Sequence, residues 1–186
     1  EPEHTHSFVN GKCECGETNG FAGFGIWNEG SLTPVVREDT ENSMVITSEN
    51  ASGDWWKVKV ENNFATEAGK TYEAVYTFTS NAEGDIKFGG DNMTCQTPDV
   101  YHVVAGENTF SVTFTVSASN AYNCLELGGL GNFRLEFTSI TLKEVSSEPE
   151  HTHSFVNGKC ECGETNGFAG FGVWNEGSLT PVVRED

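Results

Sequence analysis

The sequence is poor in basic residues, and this scarcity excludes several classes of function. It has 10 Lys and Arg against 28 Asp and Glu, which gives a formal net charge of −18 over 186 residues. A negative field of this size repels phosphate backbones and anionic lipid headgroups. The sequence also lacks any apolar run of about 18 residues, the length that would indicate a membrane-spanning helix. We therefore expect neither nucleic-acid binding nor membrane insertion.

Helical patterning and proline are scarce as well. The chain has 5 Pro, and no stretch repeats apolar residues with the helical period of about 3.6 residues. Glycine (21) and phenylalanine (13) are abundant, and Ser, Thr and Asn are frequent. This composition is typical of strands and turns, and it excludes an all-α fold. The 36% of hydrophobic residues is enough for one ordinary core, so the chain is not disordered.

Catalytic motifs are missing too. The sequence contains no nucleophile elbow, no phosphate-binding loop and no His-Glu-x-x-His. Its carboxylates form no recognisable pair. His102 is the only histidine of the repeat outside an amino-terminal cluster, and a single histidine in a strand is usually structural. We expect a protein that is not an enzyme.

The sequence repeats itself. Residues 148–186 copy residues 1–39 with one difference, Ile26 to Val173, so that the period is 147 residues. The chain therefore holds one full repeat and the first quarter of the next, which indicates a tandem array. The expected divisions are a polar linker at 1–19, a sandwich at 20–145, a second linker at 146–166 and the opening strands of the next repeat at 167–186.

Short alternating runs between turns predict an antiparallel β-sandwich. Tyr72–Phe78 and Phe110–Val116 each place every second, apolar residue on one face. The phase of this alternation slips in the last run, and a β-bulge near Thr138–Ser139 explains the slip. Gly-containing connectors at 67–70, 81–85 and 104–108 are predicted turns.

The polar linker contains the clearest metal-binding pattern. Two His and two Cys flank the turn Val9–Lys12, and the second linker repeats them; the predicted ligands are His4, His6, Cys13, Cys15, His151, His153, Cys160 and Cys162. A tetrahedral His2Cys2 set is typical of closed, structural zinc sites. Zinc would hold together a short hairpin that has almost no core. A disulfide, or plain surface residues, are the alternatives.

Two further cysteines lie within the predicted sandwich. Cys95 and Cys124 form a disulfide if the protein is secreted, and the alternative is a pair of buried thiols.

Strand parity predicts a ligand-binding surface. In residues 55–60, Trp56, Val58 and Val60 are assigned to the core, which turns Trp55 outward, and Trp27 is also assigned to the core. An exposed aromatic ring beside planar polar groups suits a sugar. The candidates are Trp55, Tyr122, Tyr101, Asn123, Glu126 and Arg134. The alternative for Trp55 is packing at an edge of the sandwich or against the next repeat.

Several segments together resemble a known family. WWKVKVEN, EAGKTYEAVYTF, NTFSVTFTV and FRLEFTSITLKE, preceded by NGFAGFGIW, follow the order of elements in family 4/9-type carbohydrate-binding modules. The resemblance covers about residues 20–145 and implies a β-jelly roll with a polysaccharide as possible partner. It also raises the question of a structural calcium, but the family's two acidic positions are Ala22 and Thr138 here, which leaves the calcium in doubt.

Two functions remain open at this stage. The leading hypothesis is a non-catalytic repeat of an extracellular bacterial stalk or fibre at the cell surface, in which identical neighbours join head to tail. Zinc hairpins would stiffen the joints between the sandwiches. The alternative is a carbohydrate-binding module that holds polysaccharide on an exposed aromatic face.

Overall fold

The computed structural model describes residues 7–28, 35–49, 54–145, 154–156, 159–161, 163 and 165–166. The chain divides into two compact units, Glu1–Val145 and Ser146–Asp186. The strands of the first unit are β1 (Phe8–Val9), β2 (Lys12–Cys13), β3 (Gly25–Asn28), β4 (Val35–Asp39), β5 (Met44–Ser48), β6 (Val58–Glu61), β7 (Thr71–Ser80), β8 (Gly84–Gly90), β9 (Met93–Thr97), β10 (Val100–Val103), β11 (Gly106–Val116), β12 (Asn123–Glu126) and β13 (Phe133–Glu144). Two short 3-10 helices, Trp55–Lys57 and Gly128–Leu130, are the only helical elements described.

The strands form two antiparallel sheets that pack face to face. The larger sheet has the order β2-β1-β4-β5-β13-β7-β11-β9, and the smaller has the order β10-β8-β12-β6-β3. The predicted all-β sandwich is therefore confirmed. Within the described residues, no helix is long and apolar enough to cross a membrane.

The predicted alternation corresponds to the core of the sandwich. Tyr76 and Phe78 of β7 and Phe110 and Phe114 of β11 are at most 1% exposed, because each lies on the face of the larger sheet that meets the smaller one. Opposite them, Phe88 of β8 packs against Phe114 with ring centroids 5.0 Å apart. The core is thus built from interdigitating aromatic rings.

The predicted bulge is present. The register between β13 and β7 shifts between Phe137 and Ser139, so Thr138 is the extra residue. Phe137 is fully buried, whereas Ile140 is partly buried against the same core. After the bulge, β13 pairs with β7 again, with its apolar side chains at positions of the other parity.

The amino-terminal hairpin, which lies in the predicted linker at 1–19, is part of the first unit. The turn of the hairpin has positive φ at Asn10 (51°) and Gly11 (76°), as a two-residue Asn-Gly turn requires. Phe8 pairs with Asp39 of β4 and is 7% exposed. The hairpin therefore extends the larger sheet. Its apolar residue Phe8 is buried because the hairpin packs on the sandwich.

The second unit repeats the bridges of this hairpin. Its isolated bridges join Val156 to Lys159 and Lys159 to Thr165. The equivalent pairs of the first unit are Val9 with Lys12 and Lys12 with Thr18. The register is the same after a shift of one repeat. The opening strands expected at 167–186 lie outside the described residues.

Candidate functional site

The outward face of the smaller sheet carries a continuous row of side chains. Strand pairing places Trp27 opposite Lys59, Lys59 opposite Glu126, Glu126 opposite Lys87 and Lys87 opposite Val100. Residues that are directly opposite in a sheet share a face. Their neighbours along each strand point into the core, so these five residues, the cross-strand row, face away from it.

A groove of about 570 Å³ lies along this row. Its lining includes Lys59, Lys87, Phe88, Gly89, Gly90, Asp91, Met93, Thr94, Cys95, Asp99, Tyr122, Cys124 and Glu126. The two glycines have different roles. A Cβ on Gly90 would collide with the backbone of Tyr122 and Asn123, whereas a Cβ on Gly89 would meet only the carboxylate of Glu126, at 3.9 Å. Gly90 is thus required by packing, and Gly89 leaves open space in the groove.

Tyr122 is a partly exposed aromatic ring in the lining of the groove. Its hydroxyl donates a hydrogen bond to Glu61 Oε1 at 3.3 Å. Burial, with further contributions from Cys124 and Glu61, raises the pKa of Tyr122 above its ordinary value. The phenol therefore stays protonated and remains a hydrogen-bond donor.

Two tryptophans form an exposed aromatic pair at one end of the cross-strand row. The rings of Trp27 and Trp56 lie 6.2 Å apart at 37°, and they are 37% and 44% exposed. Lys59 Nζ lies 5.0 Å from the centre of the Trp27 ring, and Lys57 Nζ lies 5.8 Å from that of Trp56. Cation–π contacts of this kind hold the pair on the surface.

The structure corrects the predicted environments of three tryptophans. Parity applies only within a strand, but Trp55–Lys57 is a 3-10 helix that precedes β6. Trp55 is therefore half-buried beside Gly129, where an added Cβ would touch its ring at 3.7 Å, while Trp56 is exposed. Trp27, predicted to be core, is also exposed. The alternation of β3 could have indicated this, because Ile26 packs against the core and the next residue, Trp27, must then face outward.

Of the other predicted ligand residues, two line the groove and three do not. Tyr122 and Glu126 both line the groove. Tyr101 packs on the core ring of Phe110 at 5.3 Å, and Asn123 is 2% exposed. Arg134 lies on the larger sheet, paired with its own neighbour Glu136. These three residues therefore do not belong to the groove. Lys59 and Lys87 were not among the candidates, and strand pairing places both beside Glu126.

The two cysteines of the sandwich are free thiols, so the predicted disulfide between Cys95 and Cys124 is absent. Cys95 lies on the larger sheet and Cys124 on the smaller, and both line the groove. Burial raises the pKa of Cys124 to about 11 and also raises that of Cys95. The alternative of two thiols is the one found.

The predicted zinc ligands are only partly described. His4, His6, His151, His153 and Cys162 lie outside the described residues. Cys13 ends β2, and Cys15 follows it in the next turn. A hydrogen bond with Cys13 is the main cause that raises the pKa of Cys15. Within the described residues, no three His, Cys, Asp or Glu side chains are grouped as a metal site.

The residues around Thr138 do not fit a structural calcium. A cavity of about 270 Å³ brings Thr138 together with Gly20, Phe21, Glu41, Asn42, Ser139 and Ile140. Only one of these side chains is a carboxylate, and the Thr138 hydroxyl donates to Thr77 O. Ala22, beside Phe21, has no side-chain oxygen. Calcium prefers six to eight oxygen ligands, usually with several carboxylates.

Comparisons with known proteins identify the fold. No family model matches the sequence, and no curated protein matches it. Among solved structures, a CBM4 module is similar with a TM-score of 0.50 at 17% identity, covering 66% of this chain and 86% of that one. The BiXyn10A CBM1 module in its apo form has a TM-score of 0.51 at 16% identity, covering 64% and 87%. Both of these neighbours are carbohydrate-binding modules, and this chain shares their jelly-roll fold.

Proposed function

We propose that the sandwich is a non-catalytic module that binds polysaccharide on the outward face of its smaller sheet. The observation that carries this proposal is the continuity of the surface. The Trp27–Trp56 pair continues through the cross-strand row into the groove that holds Tyr122 and Glu126. Exposed rings stack on the apolar faces of sugars, and charged or planar polar groups bind their hydroxyls.

The dimensions of the surface suit an extended chain rather than a single sugar. The cross-strand row crosses five strands, and neighbouring strands lie about 4.8 Å apart. The row is therefore roughly 19 Å long, which accommodates several linked sugar units. The ligand would cross the strands, with its apolar faces on the tryptophans.

Charge favours a neutral polysaccharide. The two lysines of the row are more than balanced by three carboxylates in the groove, those of Glu126, Asp91 and Asp99. The whole chain carries −18, so a polyanionic glycan would be repelled at long range. The proposed setting is extracellular, where such polysaccharides are found.

Affinity electrophoresis of the full chain against neutral and acidic polysaccharides tests this function. The variant Gly89→Val fills the groove without touching backbone, so we expect it to abolish retardation by the neutral glycan that binds. Gly20→Val is the matched control, because nothing lies within 4 Å of a Cβ at Gly20. Absence of retardation on every glycan, or equal retardation of both variants, would contradict the proposal.

A second function is favoured by the recurrence of the hairpin in both units. We propose that the module is a repeat of a bacterial surface stalk or fibre, in which identical repeats follow head to tail. His4, His6, Cys13 and Cys15 would hold a structural zinc in each hairpin, with the equivalent residues in the next copy. Tetrahedral coordination by two imidazoles and two thiolates leaves no open position for chemistry.

Cobalt substitution and scattering test this second function. We expect Co²⁺ to give the absorption of a tetrahedral thiolate site, and Cys15→Ser to remove the signal of its hairpin. In a chain of two full repeats, chelation should widen the distribution of distances between sandwiches measured by X-ray scattering. Unchanged spacing after chelation would refute the stiffening of joints by zinc.

A further inference from the structure

A buried ion pair lies where the hairpin meets the sandwich. Arg37 Nε contacts Asp39 Oδ1 at 2.9 Å, and the two side chains are 6% and 0% exposed. The second carboxylate oxygen of Asp39 accepts a hydrogen bond from the Gly11 amide at 2.6 Å. Asp39 thus joins β4 to the turn of the hairpin, and it has no exposed oxygen left for another ligand.

The remaining nitrogens of Arg37 bind the loop that precedes β3. Nη2 donates to Phe21 O at 3.1 Å, and Nη1 donates to Phe24 O. One guanidinium therefore holds a carboxylate of its own strand and two backbone carbonyls of the loop before β3. Carboxylate and carbonyl oxygens are also the ligands that hard cations take in proteins, and the planar guanidinium satisfies them with directed hydrogen bonds.

Gly11 fits closely against the same loop. A Cβ at this position would lie 2.6 Å from Asn19 Oδ1 and would collide with the backbone of Ala22. Asn19 adds a further link, because its Nδ2 donates to Thr40 O at 2.7 Å and its Oδ1 accepts from Phe21 N at 3.0 Å. The hairpin, the 19–24 loop and β4 are therefore joined by a network of protein hydrogen bonds and one ion pair.

We infer that Arg37 is an internal cation that replaces a structural metal at this junction. Its positive charge gathers the Asp39 carboxylate and the carbonyls of Phe21 and Phe24, while Ala22 and Thr138 supply no carboxylate. Attachment of the hairpin to the sandwich therefore requires neither calcium nor zinc. A zinc ion on the hairpin would bind to a segment that is already docked.

The first test compares the thermal stability of the metal-free full chain with and without millimolar calcium. We expect the melting temperature to be the same in both conditions. A rise of several degrees with calcium would overturn the inference, since it would show that the folded chain has a metal site of its own. Dialysis against chelator before the comparison keeps zinc out of both samples.

The second test removes the guanidinium. We expect Arg37→Ala to lower the melting temperature by about 10 °C, since breaking a buried pair leaves an uncompensated charge. It should also speed hydrogen exchange of the Gly11 amide and of residues 8–19 more than that of β7. Arg134→Ala is the matched control, because Arg134 makes the same (i, i+2) pair with Glu136 at an exposed position.

Two outcomes distinguish a junction from a general loss of packing. Millimolar guanidinium should restore protection of residues 8–19 in Arg37→Ala. If that variant does not fold, Asp39→Asn preserves the shape of the side chain and is read by the same exchange measurement. Protection of 8–19 that equals the Arg134→Ala value in both variants would overturn the inference.

Discussion

The tryptophan pair gives the most direct test of the proposed binding face. Trp27→Ala and Trp56→Ala each remove one ring of the pair, and the double variant removes both. Because the centroids of the two rings lie 6.2 Å apart, loss of one ring also removes a packing partner of the other. We therefore expect each single variant to lose affinity and the double variant to lose less than the product of the two losses.

The magnitude follows from the exposed area. Trp27 is 37% exposed, which corresponds to about 75 Å² if the side chain has a total of roughly 200 Å². At about 25 cal/mol per Å², covering this area with a sugar is worth about 2 kcal/mol, or about 30-fold in affinity. The slightly greater exposure of Trp56 gives a similar figure.

Isothermal titration with oligosaccharides of the retained glycan measures these losses. Trp55→Phe is the control from the same 3-10 helix, and its affinity should be unchanged because Trp55 packs beside Gly129. Thermal melts of all the variants check that the sandwich remains folded. A folded double variant that binds as tightly as the parent protein would refute the assignment of the binding face.

Four further outcomes are expected. Burial raises the pKa of Cys124 to about 11, so alkylation mapped by mass spectrometry should be slow at neutral pH and slower still with glycan bound. The pKa of this thiol is higher in the folded than in the unfolded state. The stability that it contributes is therefore present below about pH 9 and is lost as the pH rises toward about 11. Cys124→Ala should flatten that part of the pH profile of the melting temperature. Phe8→Ala should cost about 3–5 kcal/mol in urea unfolding, and a loss near zero would contradict docking of the hairpin. Tyr76→Phe deletes the buried hydroxyl that donates to Asn62 Oδ1 at 3.1 Å and should cost about 1–3 kcal/mol, whereas an unchanged urea midpoint would show that this bond contributes nothing.

The strands and their buried faces could be predicted from local pattern. Alternation in β7 and β11 identified the residues that form the core, and the slip of phase in β13 located the bulge at Thr138. Glu126 of β12 faces outward for the same reason, since its neighbours Leu125 and Leu127 are buried. Prediction succeeds here because side-chain direction in a strand alternates strictly with sequence.

Prediction failed where a strand begins or where two distant segments meet. Trp55 and Trp56 exchanged their expected environments because a 3-10 helix turns the chain before β6. Cys95 and Cys124 were expected to form a disulfide, but the structure places them on different sheets as free thiols. Residues 1–19 were predicted as a polar linker, and the local pattern gave no sign that Gly11 and Asn19 bond Asp39 and Thr40.

The sequence by itself determined the repeat, the β-sandwich, the Asn10–Gly11 turn and the acidic character of the chain, because each depends on composition or on residues close in sequence. Only the tertiary structure decided which tryptophans share a surface, which lysines flank Glu126 and what Arg37 holds. These arrangements depend on the order of strands within each sheet and on their register. Both are set by packing between residues that are far apart in the sequence.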